Sequence, residues 1–120
     1  MQTENKTIVE KVNAAFDDGN TDAFLSFCAD NVTWNIIGDM CLTGKEAIKN
    51  FMAGTPAEQP QFTITEIIAE DNSAVCYGDM KMKNKEGVLE DYSFCDVYHF
   101  SGRKIAELLT FMAKHKPTNN

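Results

Sequence analysis

Apolar residues recur at helical spacing in three segments of the N-terminal half of the chain. The first segment covers residues 4–18, and Gly19 follows it as a stop signal. A second, shorter helix comes directly after, with Asn20 or Thr21 as its predicted N-cap. Because the connection between the two helices is so short, we expect them to pack as a pair.

A strand and a third helix are predicted next. Residues 32–37 are rich in β-branched and aromatic side chains and run into a turn at Gly38. Thr43 and Glu46 match a capping box, which predicts that the third helix begins there and ends at Gly54.

In the second half of the chain, the apolar pattern changes from a helical period to alternation. Four strands joined by short turns are predicted at residues 62–69, 74–83, 88–100 and 104–114. This order of elements indicates an α+β fold, a curved, mostly antiparallel sheet with three N-terminal helices on one face. A curved sheet closed by helices leaves a conical cavity, which is where a ligand pocket is expected.

Composition and charge limit the classes of partner. The 120 residues fit a single domain, and 43% of them are hydrophobic and 24% charged. The formal net charge of -7 would repel phosphate backbones, so we expect no nucleic-acid partner. No apolar run is long enough for a membrane span or a signal peptide, which predicts a cytoplasmic protein with no membrane contact.

The four cysteines lie far apart, at Cys28, Cys41, Cys76 and Cys95. They form no C-x-x-C pair and have no histidine at ligand spacing, which predicts reduced thiols and no metal site. Phosphate-binding and dinucleotide-binding fingerprints are also missing from the sequence, so no cofactor is expected.

The most informative segment is a strand of aromatic residues that contains one acid. Alternate side chains of this strand fall on one face, namely Tyr92, Phe94, Asp96, Tyr98 and Phe100. A carboxyl group among aromatic rings is desolvated, which raises its pKa and lets it donate a hydrogen bond when neutral. In the alternative interpretation, Asp96 hydrogen-bonds a neighbouring backbone group or lies on the wetter face, and the sequence leaves both open.

Four short sequence segments, called phrases below, match a known family in their order across residues 7–112. They are FDDGNTDAF at 16–24, ADNVTW at 29–34, TGKEAI at 43–48 and DVYHFSGRKIAE at 96–107. On these phrases the chain resembles the nuclear transport factor 2-like superfamily, in particular its SnoaL-like and ketosteroid-isomerase-like branch. The resemblance implies a single SnoaL-like domain over residues 1–120 with a cone-shaped, cystatin-like fold that encloses a pocket.

The same resemblance implies a function. Members of this branch hold small apolar molecules in the cone, usually as homodimers, and the enzymes among them perform isomerase or cyclase chemistry by acid–base catalysis. In ketosteroid isomerases the acid of the last phrase is a neutral donor in the oxyanion hole, and Asp96 stands at that position. Asp96, paired with Tyr98 on the same face, is the predicted catalytic group.

Other positions of the family's catalytic machinery carry different residues. The isomerase base position falls on Trp34, Asn35 and Ile36, and the cyclase base position falls near Thr110, none of which is an acid. The position of the oxyanion tyrosine falls near Lys11. A non-catalytic dimeric domain that binds a ligand or another protein is therefore the alternative function.

The predicted partners are a small apolar molecule in the cone and a second copy of the chain. The predicted ligand-binding residues are Trp34, Ile36, Phe51, Met80, Met82, Tyr92, Phe94, Leu108, Thr110 and Met112. Core packing is the alternative interpretation for Trp34 and for the methionines. The opposite face of the sheet, with Cys95, Val97 and His99, is the predicted homodimer interface, because a sheet with two apolar faces needs cover on both.

Overall fold

The computed structural model describes residues 2–54 and 61–115. Its helices are α1 (Gln2–Asp17), α2 (Thr21–Ser26) and α3 (Lys45–Ala53). Its strands are β1 (Cys28–Ile36), β2 (Met40–Thr43), β3 (Gln61–Glu70), β4 (Ser73–Lys83), β5 (Leu89–Ser101) and β6 (Lys104–Lys114). No helix within the described ranges is long and apolar enough to cross a membrane.

The strands form one curved sheet in the order β2-β1-β6-β5-β4-β3. β1 and β6 pair in parallel, and the other neighbouring strands pair antiparallel. Antiparallel pairing follows from the short turns between consecutive strands, since parallel strands need a long crossover connection. The predicted α+β architecture, a mostly antiparallel curved sheet with N-terminal helices, is confirmed.

The helices cover one face of the sheet, the inner face. α1 packs across β3 and β4, while α3 packs against β1 and β2. Val9, Val12 and Ile48 project from these helices into the core and are fully buried. Because strand side chains alternate, β4 and β5 contribute every second residue to the same core, among them Cys76 and Phe94.

The connection between α1 and α2 follows the sequence prediction. Gly19 adopts a left-handed φ of 66° just after α1, a conformation that costs glycine little. The Asn20 side chain accepts a hydrogen bond from the Ala23 backbone N–H at 3.1 Å, so Asn20 is the N-cap of α2.

The segment before α3 differs from the prediction. Thr43 does not form a capping box with Glu46, because Thr43 is the last residue of β2 and pairs with Thr33 of β1. Gly44, with φ 86°, occupies the N-cap position, and no side chain of the described residues makes a capping hydrogen bond there. β2 itself is not predicted from the sequence, since its four residues are too few to show a period.

A close approach of two strands explains a glycine on the inner face. β3 contains a bulge between Ile64 and Glu66, which brings its backbone towards β4. A Cβ atom on Gly78 would lie 2.0 Å from the Thr63 carbonyl oxygen. Only glycine therefore fits at this point of β4 without moving the backbone.

Candidate functional site

Asp96 lies on the inner face of β5, between two neighbouring strands. The antiparallel registers place Asp96 opposite Thr110 of β6 and opposite Cys76 of β4. On the far side of β6, the parallel register of β1 brings Trp34 within reach of Thr110. Strand pairing thus gathers side chains that lie far apart in the sequence.

A chain of two hydrogen bonds ends on the Asp96 carboxyl group. The Trp34 indole Nε1–H donates to Thr110 Oγ1 at 2.8 Å. The Thr110 hydroxyl in turn donates to Asp96 Oδ1 at 2.9 Å. Of the alternatives that the sequence left open, a backbone contact or a wetter face, the structure supports neither, because Asp96 is 8% exposed and bonded to a side chain.

Burial dominates the electrostatics of Asp96. Desolvation raises its pKa from 3.8 to about 7, and the hydrogen bond from Thr110 acts in the opposite direction. No cation in the part of the chain that the structure describes contributes to the shift. At neutral pH the group therefore populates both its acid and its carboxylate form, which is the state that suits a general acid or base.

Tyr98 lies two residues further along β5 and is fully buried. Its hydroxyl has no hydrogen-bond partner among the described residues. Burial, followed by the charge of Asp96, raises the pKa of Tyr98 well above its usual value, so the phenol stays neutral and keeps a proton to donate. A buried hydroxyl without a partner is destabilising, which makes it a candidate contact for a bound polar group.

Two thiols of the core are also neutral. Burial raises the pKa of both Cys28 and Cys76 to about 11. Cys76 Sγ accepts a hydrogen bond from Asn13 Nδ2 at 3.3 Å, and Cys28 Sγ donates to the Phe24 carbonyl oxygen at 3.5 Å. Neither thiol has the lowered pKa of a cysteine nucleophile.

Aromatic rings surround the tryptophan end of the hydrogen-bond chain. Trp34 makes edge contacts with Phe24 and Phe51, each with ring centroids 5.9 Å apart, and stacks on Phe16 at 6.3 Å. The ring of Trp34 is therefore held by packing while its N–H points at Thr110. Of the predicted site residues, Trp34, Phe51, Thr110 and Asp96 are joined by direct contacts.

The remaining predicted residues lie along the same face of the sheet at different depths. Leu108 pairs with Tyr98 at the buried end, where both side chains are enclosed. Phe94 and Met80 are also buried, whereas Met112, opposite Phe94, is 44% exposed. The others occupy partly buried positions on β1, β4 and β5, namely Ile36, Met82 and Tyr92. The predicted set thus runs from the core to the open end of the sheet.

The opposite, outer face of the sheet carries a depression that the sequence pattern did not indicate. It has a volume of about 570 Å³, and its lining includes Tyr77, Cys95 and Phe111 together with two of the predicted ligand-binding residues, Phe94 and Met112. A smaller depression of about 300 Å³ lies beside Asp79 and His115. Neither is lined by Asp96, so a ligand cavity beside that residue stays a prediction.

Polar side chains on the outer face pair with one another. His99 Nδ1 lies 3.0 Å from Ser73 Oγ, and His99 Nε2 lies 3.8 Å from Glu107. His99 therefore points away from Asp96, as alternation along β5 predicts. Within residues 2–54 and 61–115, no three His, Cys, Asp or Glu side chains are grouped to hold a metal ion.

Comparisons with known proteins identify a matching family and similar folds. A search of curated proteins finds no match. Among solved structures, an NTF2-like protein of unknown function from Cytophaga hutchinsonii is 24% identical with a TM-score of 0.71, and the match covers 90% of this chain and 98% of that one. An LEH-like epoxide hydrolase from M. tuberculosis is 13% identical with a TM-score of 0.81, covering 93% and 84% of the two chains.

A third similar structure is SalBIII, an epoxide hydrolase/cyclase-like enzyme of pyran ring formation in the polyether salinomycin. It is 18% identical with a TM-score of 0.82, and the match covers 94% of this chain and 95% of that one. These structural matches show the NTF2-like fold. The sequence match is more specific, since the family model of the SnoaL-like domain covers residues 9–108. The chain belongs to the SnoaL-like domain family.

Proposed function

We propose that this protein binds a small apolar molecule against Asp96 and catalyses a proton-transfer reaction of the isomerase or cyclase type. The observation that carries the proposal is the state of Asp96, a buried carboxyl group with a pKa of about 7 and no cation among the described residues to fix its charge. Such a group exchanges protons readily at neutral pH. Similar structures that include an epoxide hydrolase and a cyclase-like enzyme support the choice of reaction class.

A single carboxyl group suffices for two reactions of this class. In an isomerisation, the Asp96 carboxylate takes a proton from a carbon beside a carbonyl and returns it to a second carbon as the double bond moves. In ring closure of an epoxy alcohol, neutral Asp96 gives its proton to the epoxide oxygen while the substrate's own hydroxyl attacks carbon. The proton released from that hydroxyl then restores the acid. Hydrolysis by an added water would need a second group to activate the water.

Tyr98 has a role in the same scheme. Its hydroxyl is neutral, buried and without a partner among the described residues, and it lies on the same face as Asp96. In the proposed complex it donates a hydrogen bond to a substrate oxygen that gains negative charge. Because Tyr98 is more deeply buried than Asp96, the oxygen-bearing end of the substrate would enter first.

The test uses two probes, a β,γ-unsaturated cyclic ketone and an aliphatic epoxy alcohol, with product formation followed by chromatography. Asp96→Asn is expected to reduce turnover of an accepted probe at least about 100-fold, the usual contribution of a general acid or base. Asp91→Asn is the matched control, since Asp91 lies on the same strand with a side chain 57% exposed, and it should keep wild-type turnover. Turnover that survives Asp96→Asn would overturn the proposal, and a ligand recovered unchanged would favour the non-catalytic alternative.

The outer face supports a second proposal, that the protein forms a homodimer through this surface. Ile68, Tyr77 and Phe111 are 50%, 36% and 41% exposed there, which is unusual for large apolar side chains of one sheet face. Sedimentation at low protein concentration tests the proposal. Phe111→Asp is expected to convert dimer to monomer, and a wild-type protein that sediments as a monomer would contradict it.

A further inference from the structure

We infer that Thr110 and Trp34 are positioning residues that fix which oxygen of Asp96 carries its proton. The assignment of donors and acceptors in the two hydrogen bonds depends on geometry alone. Its consequence for catalysis rests on the proposed function. Neither residue is an acid, so neither takes up the proton itself.

The donor and acceptor roles in the two hydrogen bonds follow from the chemistry of the Trp34 indole. An indole N–H is a donor only, so the Trp34 contact at 2.8 Å uses a lone pair of Thr110 Oγ1. The single proton of the Thr110 hydroxyl then points to its other neighbour, Asp96 Oδ1 at 2.9 Å. The reverse order, with a protonated Oδ1 donating to Thr110, would deprive the threonine proton of this acceptor. Oδ1 therefore remains an acceptor in both states of Asp96, and the titrating proton resides on Oδ2.

This order has two consequences. Proton transfer to and from a ligand takes place at Oδ2 alone, so the substrate must approach that side of the carboxyl group. The donated hydrogen bond also favours the carboxylate form of Asp96 and opposes the effect of burial. Removing the threonine hydroxyl should therefore raise the pKa of Asp96 above its present value of about 7.

Every other titratable group of the described residues that interacts with Asp96 has a pKa raised above its usual value, and so outside the range from pH 5 to pH 9. Burial raises the pKa of Cys76 on β4 to about 11, and it also raises the pKa of Cys95 and, well above its usual value, that of Tyr98, both on β5. From β6, Asp96 is faced by Thr110, and α1 contributes the uncharged Asn13, which bonds Cys76. Both histidines of the described chain, at 99 and 115, pair with groups on the outer face. A titration sensed at the Trp34 indole in this range therefore reports Asp96.

The sequence supplies a convenient probe, because Trp34 is the only tryptophan and gives a single indole N–H signal. In ¹⁵N NMR of the full chain, the indole signal is expected to shift with pH with a midpoint near 7, and Asp96→Asn should abolish the shift. Thr110→Ser keeps the hydroxyl and should keep the shift. A pH-independent indole signal in wild type would overturn the inference.

Thr110→Val supplies the second arm, read from the ¹³C signal of the Asp96 carboxyl carbon. Loss of one hydrogen bond to the carboxylate should raise the midpoint by about one pH unit, whereas Thr110→Ser should leave it within about 0.3 unit of wild type. Equal midpoints in Thr110→Val and wild type would overturn the positioning role. If the titrations behave as expected but neither probe reaction occurs, the inference stands and the proposed function fails.

Discussion

Replacing Asp96 by asparagine is expected to change how the stability of the protein depends on pH. In the folded protein, burial raises the pKa of Asp96 from 3.8 to about 7. In the unfolded chain this carboxyl group is solvated, and its pKa returns to about 3.9. Between these two values the folded protein holds a proton that the unfolded chain has released.

Proton linkage gives the sign and the size of the effect. Because the folded state binds more protons in this window, the contribution of Asp96 to stability is greatest below about pH 4, falls as pH rises and is level above about pH 7. A difference of about three pKa units corresponds to about 4 kcal/mol at about 1.4 kcal/mol per unit. From pH 5 to pH 8, where ordinary carboxyl groups no longer titrate, the loss is about 3 kcal/mol.

Urea denaturation at fixed protein concentration, followed by far-ultraviolet circular dichroism, measures the free energy of unfolding at each pH. The free energy of unfolding of Asp96→Asn, relative to that of wild type, should increase by about 3 kcal/mol from pH 5 to pH 8, because the amide does not ionise. Asp91→Asn removes an acid whose side chain is 57% exposed, and its curve should run parallel to that of wild type. Wild-type and Asp96→Asn curves that run parallel would refute the raised pKa of Asp96.

Three further substitutions test local features of the structure by the same denaturation assay. Tyr98→Phe removes a buried hydroxyl without a partner among the described residues and should raise the free energy of unfolding by about 1 kcal/mol; a loss of stability would show that the hydroxyl has a partner. Gly78→Ala should cost about 3 kcal/mol because its Cβ would meet the Thr63 carbonyl, whereas Gly54→Ala, with contacts of 3.6 Å and more, should stay within about 0.5 kcal/mol, and equal midpoints would contradict this. Asn20→Ala should cost about 1 kcal/mol by removing the N-cap of α2, and Asn20→Asp should restore it.

Much of the fold can be predicted from local pattern alone. Alternation gives the four later strands nearly to the residue, and it places Asp96 and Tyr98 on one face and His99 on the other. The same alternation explains why Asp96 is desolvated, since Phe94 and Tyr98 flank it on the inner face. These features depend on neighbours in the sequence, and such neighbours are what a periodic pattern describes.

The partners of Asp96 cannot be predicted in this way. Thr110 contacts Asp96 because of the β5–β6 register, and Trp34 reaches Thr110 only because β1 pairs in parallel with β6. In the sequence, both residues stand out only as non-acidic residues at positions where the family resemblance implies an acid. Their hydrogen bonds can be recognised only once the strands are paired. The depression on the outer face also depends on strands brought together by pairing.

The loss of folding stability that Asp96 causes at neutral pH argues for a role that uses its proton. A residue needed only to accept the Thr110 hydrogen bond could be an asparagine, whose amide oxygen accepts equally and which does not ionise. At neutral pH and above, the aspartate instead costs up to about 4 kcal/mol, out of a total stability that is typically about 5–15 kcal/mol for a domain. Unlike the amide, the carboxyl group has a proton that dissociates near pH 7 and that Thr110 and Trp34 confine to one oxygen. A site that only packs against a ligand does not require a group that titrates near neutral pH, whereas a proton-transfer reaction does require one.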